Sequence, residues 1–155
     1  MSMPTIRVEM ARLTDLFVGT WRGEETLFPS EWDPAGGAAF GTWTVRPVAG
    51  GFALAVDYVE ERDGVVTYQG HGVHAQDARD GQLYAFWFDN VGVVPTAGAR
   101  ATLDGVRYRY TEVRPGGHTR FTYAWEGQEM GFTIERSPDG ATWTPFHVGR
   151  YHRDR

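Results

Sequence analysis

Histidine and acidic side chains are the groups in this chain that could transfer protons or bind a metal ion. His71 and His74 are three residues apart, a spacing that would bring two imidazoles together on one side of a helix. In a β-strand, however, such residues lie on opposite faces, and His147 and His152 fail to share a face for the same reason. Zinc requires three or four ligands, so neither pair supplies a site. Geometry leaves open a site that combines one histidine from each pair with a carboxylate, but we predict no metal site.

Glu25 is a candidate catalytic or ligand-binding carboxylate. It follows Trp21 by four residues, so both side chains point to the same face of a strand. One interpretation is an acid–base pair with a histidine, as a cofactorless isomerase or hydrolase would need. The other is an ion pair with an inward-facing Arg150. Structural ion pairs outnumber catalytic acids, so the sequence favours the Glu25–Arg150 pair.

Several classes of enzyme are excluded because the residues they need are absent. The chain has no cysteine, and all 15 of its basic residues are arginine. Thiolate and Schiff-base chemistry and a phosphate-loop lysine are therefore impossible. Serine occurs three times, never in a Gly-x-Ser-x-Gly motif, and Gly70-His71-Gly72 lacks the third glycine of a dinucleotide-binding loop.

The elements that position these groups are predicted by turn signals and by alternation. Paired turn residues such as Asp63-Gly64 and Asp104-Gly105 recur along the chain and separate segments in which apolar and polar residues alternate. Residues 8–18 form a short apolar segment with Thr14 as a possible helix N-cap. Ten strand-like segments follow, near 19–28, 39–47, 52–61, 65–74, 82–89, 98–103, 106–113, 118–125, 128–136 and 141–152.

Alternation also assigns the faces of the strands. Tyr108 and Tyr110 share one face of their strand, and Tyr123 and Trp125 share one face of the next, so these rings should point inward. The arginines at 107, 109 and 120 then lie outside, away from the aromatic rings that a nucleic-acid surface would need. The net charge of -5 also argues against polyanion binding. Residues 83–88 are apolar on both faces, which favours a covering element or a dimer partner.

Longer motifs resemble a known group of barrels. Gly19-Thr20-Trp21 is similar to the Gly-x-Trp opening of calycins, the lipocalins, fatty-acid-binding proteins and nitrobindins. Tyr84-x-x-Trp87-Phe88-Asp89, Ser137-Pro138-Asp139-Gly140-x-x-Trp143 and Arg150-Tyr151-x-Arg153 extend the resemblance to an uncharacterised bacterial family of calycin-like barrels. The resemblance implies that Trp21 packs across the closed end of a barrel.

The same resemblance suggests a cofactor as an alternative. In nitrobindins a histidine on the last strand ligates haem iron, and His147 has a comparable position near the C-terminus. By alternation it shares a face with Trp143 and Tyr151, which favours an inward orientation. A packed, hydrogen-bonded core histidine is the favoured interpretation, so we expect no cofactor, with haem bound by His147 as the alternative.

Together these observations predict an all-β fold, a ten-stranded antiparallel up-and-down calycin-like barrel with a short N-terminal helix. Residues 1–155 would form one domain, with 1–18 as helix or arm and 19–153 as barrel. Because ten strands enclose more room than eight, we expect a hollow interior that binds a small, largely apolar or aromatic molecule non-covalently. The predicted ligand-binding residues are Trp21, Glu25, Tyr58, Trp87, Tyr108, Tyr123, Trp125, Phe132, His147 and Tyr151.

The setting of the protein is predicted from the same composition. Residues 1–18 contain no apolar segment of signal-peptide length and no segment is long enough to span a membrane, so we expect a cytoplasmic protein. We expect a monomer or homodimer with no nucleic-acid or membrane partner. The long connections 28–34 and 90–96 are either functional lids or segments that merely fold over the barrel rim.

Overall fold

Ten β-strands and one α-helix form the fold in the computed structural model, which describes residues 1–155. The elements are α1 (Val8–Phe17), β1 (Gly19–Leu27), β2 (Gly37–Val48), β3 (Ala53–Arg62), β4 (Val65–Gln76), β5 (Leu83–Asp89), β6 (Ala99–Asp104), β7 (Arg107–Arg114), β8 (Gly117–Glu126), β9 (Glu129–Ser137) and β10 (Thr144–Arg153). A single 3₁₀ turn, Ala49–Gly51, joins β2 to β3.

The strands form a closed antiparallel barrel in which each strand pairs with its neighbours in sequence. The barrel closes where β1 pairs with β10, in a register that runs from Trp21 opposite Arg153 to Leu27 opposite His147. The ten-stranded up-and-down barrel with a short N-terminal helix is therefore confirmed. Closure pairs every strand on both sides, so the sheet has no free edge.

Tight turns alternate between the two ends of the barrel. At the turn from β3 to β4, Asp63 and Gly64 both have positive φ, 51° and 75°, as the predicted Asp-Gly hairpin requires. We call the end that carries α1 the helix end. The opposite end, which we call the open end, carries the connections 28–36, 63–64, 90–98, 115–116 and 138–143. Both predicted lid segments lie at the open end.

Helix α1 covers the helix end of the barrel. Its side chains Met10, Leu13 and Phe17 are fully buried against the strands. The helix has no side-chain N-cap, and the predicted cap Thr14 lies within the helix, where its hydroxyl donates a hydrogen bond to the Met10 carbonyl at 2.9 Å. Packing therefore holds the helix in place, because ten residues are marginal on propensity alone. No helix in the structure is long and apolar enough to span a membrane.

Aromatic side chains fill most of the barrel interior. Phe17 of α1 lies 5.0 Å from Tyr123 and 5.2 Å from Trp125 between ring centroids, and Tyr123 lies 4.6 Å from Phe132. All four rings are buried. Packed rings therefore occupy this part of the interior, where a hollow cylinder was expected. Large aromatic side chains occupy the extra room that ten strands provide.

Candidate functional site

A group of buried polar side chains lies near the open end, and we call Glu25, Tyr58, Glu60 and His147 the polar cluster. Glu25 lies on β1, Tyr58 and Glu60 on β3, and His147 on β10. Strand alternation places these side chains inside the barrel, as it does for Trp21 and Leu27 on β1. All four residues of the cluster are buried.

The Glu25 carboxylate is the centre of this cluster. The Tyr58 hydroxyl lies 2.7 Å from Oε1 and 2.6 Å from Oε2, so it donates its hydrogen bond to the carboxylate. His147 Nε2 lies 2.9 Å from Oε2, but its direction is not that of a hydrogen bond, and this buried nitrogen has no hydrogen-bond partner. Burial and the Glu25 charge raise the pKa of Tyr58 far above its usual value near 10, so the phenol stays protonated.

The predicted Glu25–Arg150 ion pair is wrong. Arg150 is exposed, because Gly149 and Tyr151 on either side of it face the interior and alternation turns Arg150 outward. Glu25 accepts a hydrogen bond from Tyr58 instead, and the His147 ring lies against its carboxylate. The acid–base alternative required a carboxylate and a histidine in one buried site, and these two side chains meet that geometric condition.

Two glycines provide the space that the cluster occupies. A Cβ atom at Gly41 would collide with Oε1 of Glu25, and one at Gly149 would collide with the hydroxyl of Tyr151. That hydroxyl is buried beside the Glu25 carboxylate without a hydrogen bond of normal geometry. Any larger residue at Gly41 or Gly149 would displace these polar groups, so the glycines belong to the site.

Glu60 is a second buried carboxylate that the sequence analysis missed. Its Oε2 accepts a hydrogen bond of 2.9 Å from the Thr67 hydroxyl. Glu25, Glu60 and His147 each offer one possible ligand atom, and these three atoms lie within 4.8 Å of one another. Alternation could have identified Glu60 as inward-facing, since it has the same parity as Val56 and Tyr58 on β3.

Two half-buried aromatic residues, Tyr68 and Trp87, lie beside the polar cluster. The Trp87 indole N–H donates to the Tyr68 hydroxyl at 2.7 Å, and this hydroxyl donates to Asp89 Oδ2 at 2.8 Å. The Trp87 ring lies over Gly70, where a Cβ atom would overlap it. The Tyr58 ring is 6.4 Å from Trp87 and 5.9 Å from Tyr68 between centroids. These rings therefore form the inner wall of the open end.

The aromatic residues nearer the helix end are sealed from solvent. Tyr108 and Tyr123 are buried around His74, whose Nδ1 lies 2.9 Å from the Tyr108 hydroxyl. Burial lowers the pKa of His74 to about 4, so the ring is neutral at pH 7. Trp21 donates its indole N–H to the Phe17 carbonyl at 2.8 Å, as expected of a residue at a closed end.

The predicted ligand-binding residues thus divide into two groups. Glu25, Tyr58, Trp87, Phe132, His147 and Tyr151 lie in or beside the polar cluster and the open end, whereas Trp21, Tyr108, Tyr123 and Trp125 lie in the packed region towards the helix end. The sequence analysis missed two aromatic residues, Trp43 and Tyr68. Trp43 packs on Tyr58 with ring centroids 4.3 Å apart, and Tyr68 lies at the open end. Alternation could have found both, because Trp43 has the same parity as the buried Val45 and Tyr68 has the same parity as the buried His74.

The surroundings of His147 do not fit a haem group in this arrangement. The ring faces the interior, as the haem alternative requires, but its Nε2 meets the Glu25 carboxylate at 2.9 Å. Phe132 packs edge-on against the ring with centroids 5.6 Å apart. An axial ligand needs an open slot in front of its nitrogen, and buried carboxylates occupy that position.

Two surface concavities lie outside the barrel interior. One is a void of about 10 Å³ under residues 5–7 at the helix end. The other is a shallow groove of about 220 Å³ at the rim of the open end, lined by Ala38–Phe40 and Glu61–Gly64. None of the residues that line the rim groove belongs to the polar cluster.

The barrel is similar to those of two proteins of known structure. Rv2717c from M. tuberculosis matches with a TM-score of 0.72 at 14% identity, over 97% of this chain and 100% of that chain. The S-type phycobiliprotein lyase CPES from Guillardia theta matches with a TM-score of 0.62 at 11% identity, over 94% and 92%. At these identities the similarity shows the calycin-like fold alone. No known family model and no curated protein matches the sequence.

Proposed function

We propose that this barrel binds a small, largely apolar or aromatic molecule non-covalently at its open end. The observation that carries the proposal is the layered arrangement of side chains at that end. The half-buried rings of Trp87 and Tyr68 lie beside the buried Glu25 carboxylate and the His147 Nε2 atom, which has no hydrogen-bond partner. Ligand sites typically combine such apolar walls with a few polar groups that fix orientation.

The layering also indicates how a ligand would be oriented. Its apolar part would pack on Trp87 and Tyr68, and a polar end that donates hydrogen bonds would reach the Glu25 carboxylate. Burying about 150 Å² of apolar ligand surface contributes about 4 kcal/mol before the costs of association are subtracted. The expected affinity is therefore modest, and it requires the rings at the open end to move apart.

We further propose a cytoplasmic protein of bacterial type that acts as a monomer or homodimer. The net charge of -5 supports a small-molecule partner rather than a nucleic acid. The lack of cysteine is compatible with a reducing compartment.

Titration with N-phenyl-1-naphthylamine, a neutral aromatic amine that fluoresces in apolar surroundings, tests the ligand site. We expect saturable binding of one dye per chain, weakened about tenfold by Trp87→Ala, because a tenfold loss corresponds to the contribution of one ring. Trp143→Ala is the matched control, since this tryptophan packs outside the barrel. Its ring centroid lies 4.0 Å from the Cζ atom of Arg120. Absence of saturable binding, or equal loss in both folded variants, would refute the proposal.

A second candidate function is acid–base catalysis in the polar cluster. It is favoured by one observation, the 2.9 Å approach of His147 Nε2 to the Glu25 carboxylate. Hydrolysis of p-nitrophenyl acetate provides a direct assay. This function predicts turnover that is lost in Glu25→Gln and retained in Glu129→Gln, a substitution of an exposed glutamate on β9. Turnover that does not exceed the buffer rate, or that survives in Glu25→Gln, would exclude catalysis of ester hydrolysis.

A further inference from the structure

Three strands bring two carboxylates and one imidazole to a single point inside the barrel. Glu25 on β1, Glu60 on β3 and His147 on β10 each offer one ligand atom, and the three atoms lie within 4.8 Å of one another. Tetrahedral coordination at about 2.1 Å places ligand atoms about 3.4 Å apart, so small side-chain rotations would close the set around one ion.

Charge provides a second argument. Both carboxylates are buried, and a buried charge requires a partner. The chain has no lysine, and no arginine forms an ion pair with Glu25 or Glu60. A divalent cation would balance the charge of two carboxylates.

The His147 nitrogen provides a third, independent argument. Nε2 is buried, has no hydrogen-bond partner and faces the cluster at 2.9 Å from Glu25 Oε2. Imidazole nitrogen and carboxylate oxygen are both ligands of Zn²⁺, so an ion held between Nε2 and Oε2 would give this nitrogen the bond that it lacks.

Neighbouring hydroxyl groups hold both carboxylates in position. Tyr58 donates to Glu25 and Thr67 donates to Glu60 Oε2 at 2.9 Å. Metal-binding carboxylates are generally oriented by hydrogen bonds from such neighbouring groups, and loss of these hydrogen bonds weakens metal binding. The site thus has both ligands and the groups that support them.

From these observations we infer that Glu25, Glu60 and His147 form a binding site for one divalent transition-metal ion, for which Zn²⁺ is the representative. Two carboxylate oxygens and one imidazole nitrogen are a donor set that suits Zn²⁺, Mn²⁺ and Fe²⁺ and lacks the soft sulfur that Cu⁺ prefers. Three protein ligands leave a fourth position for water or for a polar group of a ligand entering through the open end. This inference departs from the sequence analysis, which predicted no metal site.

Calorimetric titration of tag-free, chelator-treated protein with ZnCl₂ tests this inference without any organic ligand. We expect saturation at one Zn²⁺ per chain and a metal-dependent rise in the unfolding temperature. Glu60→Gln removes one ligand and should weaken binding about 100-fold or more. Glu129→Gln is the matched control, because Glu129 is exposed and lies 3.6 Å from the exposed His152, where an adventitious surface ion would bind.

Two additional measurements keep the result interpretable. If Glu60→Gln does not fold, Tyr58→Phe removes only the hydroxyl that orients Glu25 and should weaken Zn²⁺ binding about tenfold. Co²⁺ bound at the site should show the visible absorption bands of a four-coordinate ion, and these bands should be absent from Glu60→Gln. Trp87→Ala should retain Zn²⁺, so failure of the ligand-binding proposal is distinguishable from failure of this one.

Three results would overturn the inference. The first is the absence of saturable Zn²⁺ binding to the wild-type protein. The second is binding that Glu60→Gln and Tyr58→Phe leave unchanged. The third is binding that Glu129→Gln abolishes, since the ion would then occupy the surface pair.

Discussion

His74 and His147 both face the barrel interior, yet their surroundings give the two rings different chemistry. His74 is enclosed by aromatic rings, with the Tyr108 hydroxyl against Nδ1 and no partner for Nε2. His147 lies against a carboxylate, with a second carboxylate nearby. The first environment disfavours a charged imidazole, whereas the second offers the negative charge that a cation requires.

His74 should make the protein less stable as the pH falls from 6.5 to 4. Burial lowers its pKa from 6.5 to about 4, so in this range the unfolded chain binds a proton that the folded barrel does not. Stability from this group is fully present above pH 6.5 and is lost towards pH 4, by about 3 kcal/mol in total. Urea unfolding at several pH values measures the effect.

The contribution of His74 is isolated by comparison with His74→Met, which replaces the imidazole with an apolar side chain of similar size that cannot be protonated. The variant should lose most of the pH dependence between 6.5 and 4. His152→Asn, a change at an exposed position, should keep it. If wild-type protein and His74→Met respond to pH in parallel, burial of this imidazole does not control acid stability.

Alternation in the sequence predicts which residues face inward, but not what they meet. The inward orientations of Glu25, Tyr58 and His147 follow from period-two spacing. The partner of Glu25 could not be predicted, because it depends on how β1, β3 and β10 align across the barrel. A register irregularity between Pro145 and His147 also separates His147 from the expected pattern with Trp143, which packs outside against Arg120.

Among the secondary-structure elements, α1 closes one end of the barrel. Its polar contacts reinforce the packing, since the Met10 amide donates to Gln76 Oε1 at 3.2 Å and Arg12 donates to the Gly105 carbonyl at 2.8 Å. The apolar pattern of residues 8–18 predicted this helix and its start at Val8, but the predicted N-cap Thr14 lies within it. No cap residue marks the start, because tertiary contacts replace the cap.

Phe17→Ala should lower the free energy of unfolding by about 3–4 kcal/mol, the usual cost of deleting a buried phenylalanine ring. Phe17 contacts Tyr123, Trp125 and His74, and neighbouring rings cannot close the resulting cavity fully. Urea unfolding followed by tryptophan fluorescence measures the loss. The control is Val8→Ala, at an exposed position of the same helix, which should change stability by less than about 0.5 kcal/mol.

Dye binding at the open end provides a further check on this division of the barrel. Phe17→Ala should leave the affinity for N-phenyl-1-naphthylamine unchanged, since Phe17 and Trp87 lie towards opposite ends. An affinity change as large as that of Trp87→Ala would mean that the dye binds between the helix and the strands. The separation of a structural end from a ligand-binding end would then be incorrect.

For the whole molecule, the turn pattern predicted the topology, whereas composition did not predict the filling of the interior. Regular Asp-Gly and Gly-Gly turns limit the chain to a meander, and a meander of ten strands closes readily. The same aromatic content suits a lined cavity and a solid core equally. Whether the interior is hollow or solid depends on how the side chains pack, which alternation does not reveal. The ring centroids of Trp43 and Phe132, for example, lie 4.9 Å apart.

Closure of the barrel depends on the contact between β1 and β10, and Gly23 is its tightest point. A Cβ atom at Gly23 would collide with the backbone carbonyl oxygen of Arg150, which cannot rotate away as a side chain could. Gly23→Ala should therefore force the two strands apart and lower the free energy of unfolding by about 2–3 kcal/mol. The exposed strand edges should then promote association of chains.

The matched control for this last prediction is Gly131→Ala on β9, where an added Cβ would lie 3.9 Å from the Ala124 carbonyl oxygen, an ordinary contact. This variant should remain as stable as the wild type within about 0.5 kcal/mol and elute at the same volume in size-exclusion chromatography. Gly23→Ala should unfold at lower urea concentration and elute earlier as its concentration rises. Equal stability and elution of the two variants would show that the β1–β10 contact tolerates a side chain, and that closure is maintained by the other strand pairs.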